Sequence, residues 1–390
     1  MSPCAVEDVA AWQKDSTPVK GWSSASMDEQ DAVSTLDCTP NSQIVPDLHF
    51  LPPTAVTSSM RKLGPDSAQQ RRLALRARDS DWKIRREDLE IGKELSRTLH
   101  STLYMADWKG TAVVVKCAGL HAREMSERMR KSESQAETLE AQGASDSMVQ
   151  DLLQEIQMLS QLRHPDLVMF LGACLEKHQP VMCVTEFLPH GDLDRFYFLQ
   201  RKRRDGAIWR PCLKDVLEWC SAIARALSFL HNRDVPVIHR DLKPMNLFLT
   251  GCLQLKVGDL GSSRRATREV MDGFKMTGGL GTWRYMAPEM ARHEHYNEKV
   301  DIYAFGLIMY FMSSGRMPFH QRGADPKVIL DEFTRGKKPR PTPSDCYAQL
   351  RPVMVSAWQE DFRLRPTAQD LLTTFNSGAS KKPTCGCGQM

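Results

Sequence analysis

An α+β fold in two parts is predicted, with an antiparallel sheet and one helix in the N-terminal half and a mainly helical C-terminal half. Three observations predict it. First, Leu89–Leu95, Thr102–Trp108 and Ala112–Cys117 are short apolar runs with brief connections, and Lys109-Gly110 supplies a turn. Strands joined this way form an antiparallel meander, and Val181–Phe187 reads as one more strand. Second, Asp151–Leu162 carries apolar residues at 152, 153, 156, 159 and 162, one face of a helix. Third, the later periodicity is helical. Val216–His231 is amphipathic, Val300–Ser313 is almost continuously apolar as in a buried helix, and a last helix starts at Pro366.

The totals bound the function classes. The 390 residues allow one large catalytic domain with flanking segments. Net charge is +4, from 52 basic and 48 acidic residues, which argues against nucleic-acid binding by bulk electrostatics. Eleven scattered cysteines show no zinc-type spacing and read as free thiols of a reducing compartment, cytosolic or nuclear. No secretory signal opens the chain, and the longest apolar run, Phe305–Met312, is too short to span a bilayer. Residues 1–80 lack sustained periodicity and read as disordered. The basic stretch Arg71–Arg78 reads as a solvated helical or extended linker, with a docking or lipid-surface segment as the alternative.

The chemistry concentrates in a few short segments. In His239-Arg240-Asp241-Leu242-Lys243-Pro244-Met245-Asn246, a carboxylate, a cation and an amide follow one another within six residues. Gly258-Asp259-Leu260-Gly261 follows, behind the strand Leu255-Lys256-Val257. Upstream lie Val113-Val114-Val115-Lys116, Glu155 in Leu153–Leu159, and Leu162-Arg163-His164-Pro165. Val184-Thr185-Glu186-Phe187-Leu188 stands between the halves. Gly281-Thr282, Ala287-Pro288-Glu289, Asp301–Gly306 and Arg365-Pro366-Thr367 complete the set. In order and spacing these segments resemble the protein kinase family over residues 82–372. The stretches Trp82-Lys83-Ile84, Asp88–Leu95 and Phe170–Cys174 are most similar to its tyrosine-kinase-like group of Ser/Thr kinases, Raf-like and mixed-lineage-like.

The resemblance implies a two-lobed kinase fold, with an N-lobe of about 82–186, a C-lobe of about 189–372 and a flexible tail, 373–390. It implies transfer of the ATP γ-phosphate to Ser/Thr hydroxyls of protein substrates. Asp241 would be the base, and Lys243 and Lys116 would neutralise phosphate charge, Lys116 being held by Glu155. Asn246 and Asp259 would bind Mg²⁺. Leu95, Ser96, Thr98, Ser101, Leu103, Val114 and Leu247 would surround the nucleotide. Thr185, Glu186, Phe187 and Leu188 would line or bond the adenine. Lys243 and Thr282 imply Ser/Thr specificity and argue against a small-molecule kinase. Asp301–Gly306 would anchor the catalytic loop, and Arg365 would pair with Glu289.

Three departures temper this. Ser96, Thr98 and Ser101 occupy the glycine positions of the nucleotide-covering loop, where glycine lets backbone N–H groups approach phosphates. Strained dihedrals there would cost on the order of 1–3 kcal/mol per residue, whereas a relaxed loop would lose phosphate contacts. Val114 stands where the family has Ala, which narrows the pocket. Lys116 and Glu155 are 39 residues apart, so a charged insertion, 118–148, is expected as a solvated, partly helical surface element or a partner-binding one. The first two changes predict weak ATP binding; the rival reading is a pseudokinase that scaffolds a partner. Thr277 in the activation segment is the expected target of an upstream kinase, with Arg240 as its partner. Cys387 superficially fits a lipidation box, against a default of a free polar tail.

Overall fold

In the computed structural model the described residues are 68–79, 81–98, 101–118, 135–177, 179–265, 282–322 and 327–379. They form two compact units. One contains the sheet, runs to Leu188 and includes Asp259–Gly261. The other holds Pro189–Gly258 and the chain from Ser262 onward.

The first unit comprises helix α1 (Ala68–Asp79), strands β1 (Leu89–Arg97), β2 (Ser101–Trp108) and β3 (Thr111–Ala118), helix α2 (Gln135–Leu159), and strands β4 (Phe170–Cys174) and β5 (Met182–Glu186). The sheet order is β1-β2-β3-β5-β4, with every neighbouring pair antiparallel. The β2–β3 hairpin closes on Lys109 and Gly110, both left-handed with φ of 54° and 83°. Such a turn matches the right-handed twist of the strands it joins. Asp107 Oδ1 accepts the Gly110 N–H at 2.6 Å.

Period-two alternation gives the sheet two chemically different faces. Tyr104, Ala106, Val113, Val115, Cys117, Met182 and Val184 join Ile84, Leu89 and Ile91 in one buried apolar cluster. The intervening residues point the other way. The register pairs Leu103 with Lys116 and Met105 with Val114, then Lys116 with Cys183 and Val114 with Thr185. Leu103, Val114, Lys116 and Thr185 therefore share the face opposite that cluster.

The segment before β1 seals the sheet at β4. Ala173 N–H donates to the Trp82 carbonyl and Ile84 N–H to the Ala173 carbonyl, each at 3.0 Å. Trp82 packs edge-on to Phe170. Gly172 permits this approach, since a Cβ there would sit 2.4 Å from the Trp82 carbonyl oxygen.

One expectation needs correction here. The 1–80 segment is helical over residues 68–79, where Gln70, Leu73 and Ala77 are buried on one face. Three arginines between them, Arg71, Arg72 and Arg76, obscure that stripe in the sequence, yet arginine is a good helix former. Part of the 118–148 insertion is helical, since α2 starts at Gln135 and runs unbroken to Leu159, and Ala, Glu, Gln and Leu favour helix. At its other end α2 stops short of Leu162, whose N–H closes a turn on the Leu159 carbonyl.

The second unit begins with α3 (Leu193–Lys202), capped by Asp192 Oδ1 accepting the Arg195 N–H, and α4 (Leu213–His231). Short strands follow: β6 (Val237–Ile238), β7 (Leu247–Leu249), β8 (Leu255–Val257) and β9 (Arg264–Arg265). β7 pairs with β8, and β6 with β9. Then come α5 (Pro288–Ala291), α6 (Lys299–Ser314), α7 (Lys327–Thr334), α8 (Arg351–Ala357) and α9 (Ala368–Ala379). α6 is buried all round from Val300 to Ser314, as its unbroken apolar run predicts. Gly315, at φ 68°, ends it. α9 extends past Asn376 and past the expected limit at 372. Among the described residues, no helix is long and apolar enough to cross a membrane.

Two buried charges organise this unit. Arg365, fully buried, forks onto both oxygens of Glu289 at 2.5 and 2.9 Å, as the resemblance implies. Asp301, on α6, accepts the backbone N–H of His239 through Oδ2 and that of Arg240 through Oδ1, both at 2.8 Å. His231 Nε2 lies 2.9 Å from Oδ2. Burial alone would raise the Asp301 pKa, but His231 and the amide donors outweigh it and hold the carboxyl below the usual value.

A depressed folded pKa means that Asp301 stabilises the fold in its ionised form. That contribution is complete above the unfolded value, about pH 4, and is lost as pH falls through the folded value. Asp301→Asn turns an NH₂ toward one of the two amides. We expect it to cost about 2–3 kcal/mol at pH 7. In thermal melts at stepped pH, the gap between wild type and variant should close below about pH 4, where the Asp301 carboxylate is protonated. A gap that persists undiminished at about pH 2–3 would contradict this.

Candidate active site

Backbone geometry comes first. Arg240 has φ of 67° and Asp259 of 53°, left-handed values that cost a non-glycine residue about 1–3 kcal/mol. At Arg240 the cost is met by over-determination. Its N–H is held by Asp301, its Nε donates to the Ser262 carbonyl at 2.6 Å, and Nη1 lies 3.2 Å from the Tyr296 hydroxyl. His239 Nε2 lies 3.0 Å from the Gly258 carbonyl oxygen, and Gly258 N–H donates to the Asn246 carbonyl at 2.9 Å. The strand end before Asp259 is thereby tied to the 239–246 loop.

Within that loop, Asp241, Lys243 and Asn246 converge. Asp241 Oδ2 accepts from Lys243 Nζ at 2.7 Å and from Asn246 Nδ2 at 3.1 Å. Asn246 Nδ2 also donates to the Asp241 carbonyl at 2.7 Å. All three residues are buried. Asp241 Oδ1 is buried without a hydrogen-bond partner. A buried, unpaired carboxylate oxygen costs on the order of 1–3 kcal/mol. Leu247, next in sequence, is fully buried in the β7–β8 hairpin.

In the sheet-bearing unit, Lys116 Nζ donates to Glu155 Oε2 at 2.8 Å and to Asp259 Oδ1 at 3.3 Å. β3 supplies the lysine and α2 the glutamate. Burial works against the ammonium, but the Asp259 and Glu155 carboxylates outweigh it and raise its pKa above the ordinary lysine value. Burial likewise pushes the Glu155 carboxyl up, against the pull of Lys116. The Glu155 side chain is 7% exposed and that of Asp259 41%. Glu155 is thus an internal partner, while Asp259 is partly exposed. Gly261 fits this cluster because a Cβ there would stand 3.2 Å from both Asp259 Oδ1 and Glu155 Oε2.

The three substituted glycine positions, Ser96, Thr98 and Ser101, are not in left-handed conformations. The hairpin ends close on themselves instead. Thr98 N–H donates to the Ser101 carbonyl at 2.9 Å, and Thr98 Oγ1 accepts the Ser101 N–H at 3.1 Å. The Ser101 N–H is therefore occupied by a side chain that glycine would not have offered. Leu95 and Leu103 are half-buried, as is Val114. On β5, Glu186 N–H donates to the Met169 carbonyl at 3.0 Å, and Glu186 Oε1 accepts the Met169 N–H at 2.7 Å. Of the Glu186–Leu188 backbone, the Glu186 N–H is therefore not available to adenine. Phe187 and Leu188 follow, with Leu188 buried.

Sequence reasoning missed the closure of the loop by Thr98, the tie between Gly258 and Asn246, and the Asn246–Asp241 bond. Residue types signal none of these; only the threonine three residues before Ser101 hints at the first. Thr277, Cys387 and the middle of the activation segment lie outside the described residues, and nothing of the Thr282 side chain is described.

Comparison with known proteins agrees with this geometry. Residues 89–375 match the family described as protein tyrosine and serine/threonine kinase. The chain is 33% identical over 297 residues to serine/threonine-protein kinase VIK of Arabidopsis thaliana, covering 75% of this chain and 61% of that protein. It is 30% identical over 296 residues to serine/threonine/tyrosine-protein kinase HT1 of the same plant, covering 76% and 67%. With serine/threonine-protein kinase 12, also of Arabidopsis thaliana, it shares 32% over 302 residues, covering 76% and 58%. The match thus spans about three-fifths to two-thirds of these relatives. With Lys116 paired to Glu155 and Asp241 held by Lys243 and Asn246, the chain belongs to the protein tyrosine and serine/threonine kinase family.

Proposed function

We propose that this chain transfers the γ-phosphate of ATP to Ser or Thr hydroxyls of protein substrates. The observation that carries the proposal is the split duty of the Asp241 carboxylate. Oδ2 is pinned by Lys243 and Asn246, and Oδ1 is buried and unpaired. An incoming hydroxyl would satisfy Oδ1, be aimed by it and lose its proton to it. Lys243 would neutralise phosphate charge beside the same hydroxyl, and Lys116 would hold the phosphates while Glu155 holds Lys116.

The donor set fits Mg²⁺, which takes oxygen ligands. Asp259 is exposed enough to reach an ion, and Asn246 spends its NH₂ on Asp241, which leaves its carbonyl oxygen for one. ATP with Mg²⁺ supplies the phosphoryl group and the charge that bridges its phosphates. The formed Lys116–Glu155 pair supports an enzyme over a scaffold. Lys243 and the printed names of VIK and serine/threonine-protein kinase 12 support Ser/Thr specificity, whereas the name of HT1 adds tyrosine. An upstream kinase acting on Thr277 belongs to this proposal. So does a cytosolic or nuclear setting, which the free thiols among the described cysteines support.

Asp241→Asn keeps the size of the side chain and removes the base. We expect transfer to a Ser/Thr protein substrate to fall by about 10²–10⁴-fold, with Mg-ATP binding retained in a thermal-shift assay. Transfer at the wild-type rate would sink the proposal. So would wild-type protein that binds nucleotide and transfers nothing.

The loop carries its own prediction. Replacing Ser96, Thr98 and Ser101 together with glycine frees the Ser101 N–H and removes the Cβ atoms. One recovered charge-assisted hydrogen bond, about 1.5 kcal/mol, corresponds to roughly a tenfold lower KM for ATP. An unchanged or higher KM would show that side-chain closure does not limit nucleotide binding.

A further inference from the structure

We infer that α1 is a positioning element for Glu155, so that the helix preceding the family-matched span is part of the machinery that sets Lys116. The inference rests on the kinase reading above. The match to the family begins at residue 89, and α1 ends at Asp79.

Four observations carry it. α1 packs against α2, the helix that presents Glu155. Its buried stripe is Gln70, Leu73 and Ala77, at the i, i+3, i+7 spacing of one helical face. The opposite face carries Arg72, Arg76, Arg78 and Leu75, the last 57% exposed. The helix is also tethered. Two residues separate it from Trp82, whose carbonyl is fixed by the Ala173 N–H on β4. α1 is therefore held at one end by the sheet and along one face by α2.

In sequence, sixteen residues, 119 through 134, separate the end of β3 from the start of α2. Glu155 Oε2 lies 2.8 Å from Lys116 Nζ, and α1 is a packing partner of the helix that presents it.

The test pairs Leu73→Asp, which puts a charge into the contact stripe, with Leu73→Met as the conservative variant and Leu75→Ser as the outward-face control. We expect Leu73→Asp to lower kcat by roughly tenfold with a smaller change in the protein-substrate KM, and the other two to stay near wild type. In a Glu155→Gln background the same substitution should cost less than about twofold, because both changes remove one Lys116 contact. Independent of activity, hydrogen exchange should accelerate in the amides of 148–159 and stay unchanged in α4. Full additivity with Glu155→Gln overturns the inference, as does unaltered exchange in 148–159. If wild type transfers no phosphate, the kinase reading fails, and the exchange result alone decides whether α1 holds α2.

Discussion

Everything in the helical unit that bears on chemistry hangs from Asp301. Its carboxylate, buried on the most apolar helix of the chain, accepts two consecutive backbone N–H groups, those of His239 and Arg240. A charge in such a place is tolerable only if it is fully bonded. That requirement works in reverse, forcing the loop to present both amides and holding Arg240 in a left-handed conformation that an arginine would otherwise leave. One residue later stands Asp241. Its position is thus inherited from a buried ionic anchor and not from the loop's own preferences.

The sheet-bearing unit solves a different electrostatic problem. Lys116 faces two carboxylates, and the protein distinguishes them by exposure. Glu155 is shielded and holds the ammonium, while Asp259 stays accessible. The opposing requirements of burial and charge meet at a single ammonium. A displacement of α2 would leave Lys116 with Asp259 alone, and a lysine so released would serve phosphates poorly. This is why the packing behind α2 matters, and why a helix outside the family-matched span has a place in the account.

Much of this was legible in the sequence. Lys116, Glu155 and Asp259 could be chosen because the segments that hold them resemble kinase motifs in order and spacing, and the structure brings all three together. The Glu289–Arg365 pair and the buried helix at Asp301 follow from the same logic. What stayed hidden depends on partners remote in sequence or on hydrogen bonds that residue type does not announce. α1 is a short, arginine-rich helix whose apolar stripe is a leucine and an alanine. The start of α2 reads as part of a charged, partly helical insertion, and its continuity with Leu152–Leu159 is seen only in the structure. The substituted glycines look like strain, yet the backbone there avoids left-handed values and Thr98 satisfies the Ser101 N–H. Local chemistry identifies the residues, and only packing shows how they are held.

The central claim is that the unpaired oxygen of Asp241 receives a Ser or Thr hydroxyl. Phosphosite mapping by mass spectrometry tests it most directly, after a peptide pool containing Ser, Thr and Tyr is incubated with Mg-ATP and either wild type or Asp241→Asn. The account predicts new phosphoserine and phosphothreonine with wild type and none above background with the variant. Phosphotyrosine as the main product, or equal yields from both proteins, would contradict it.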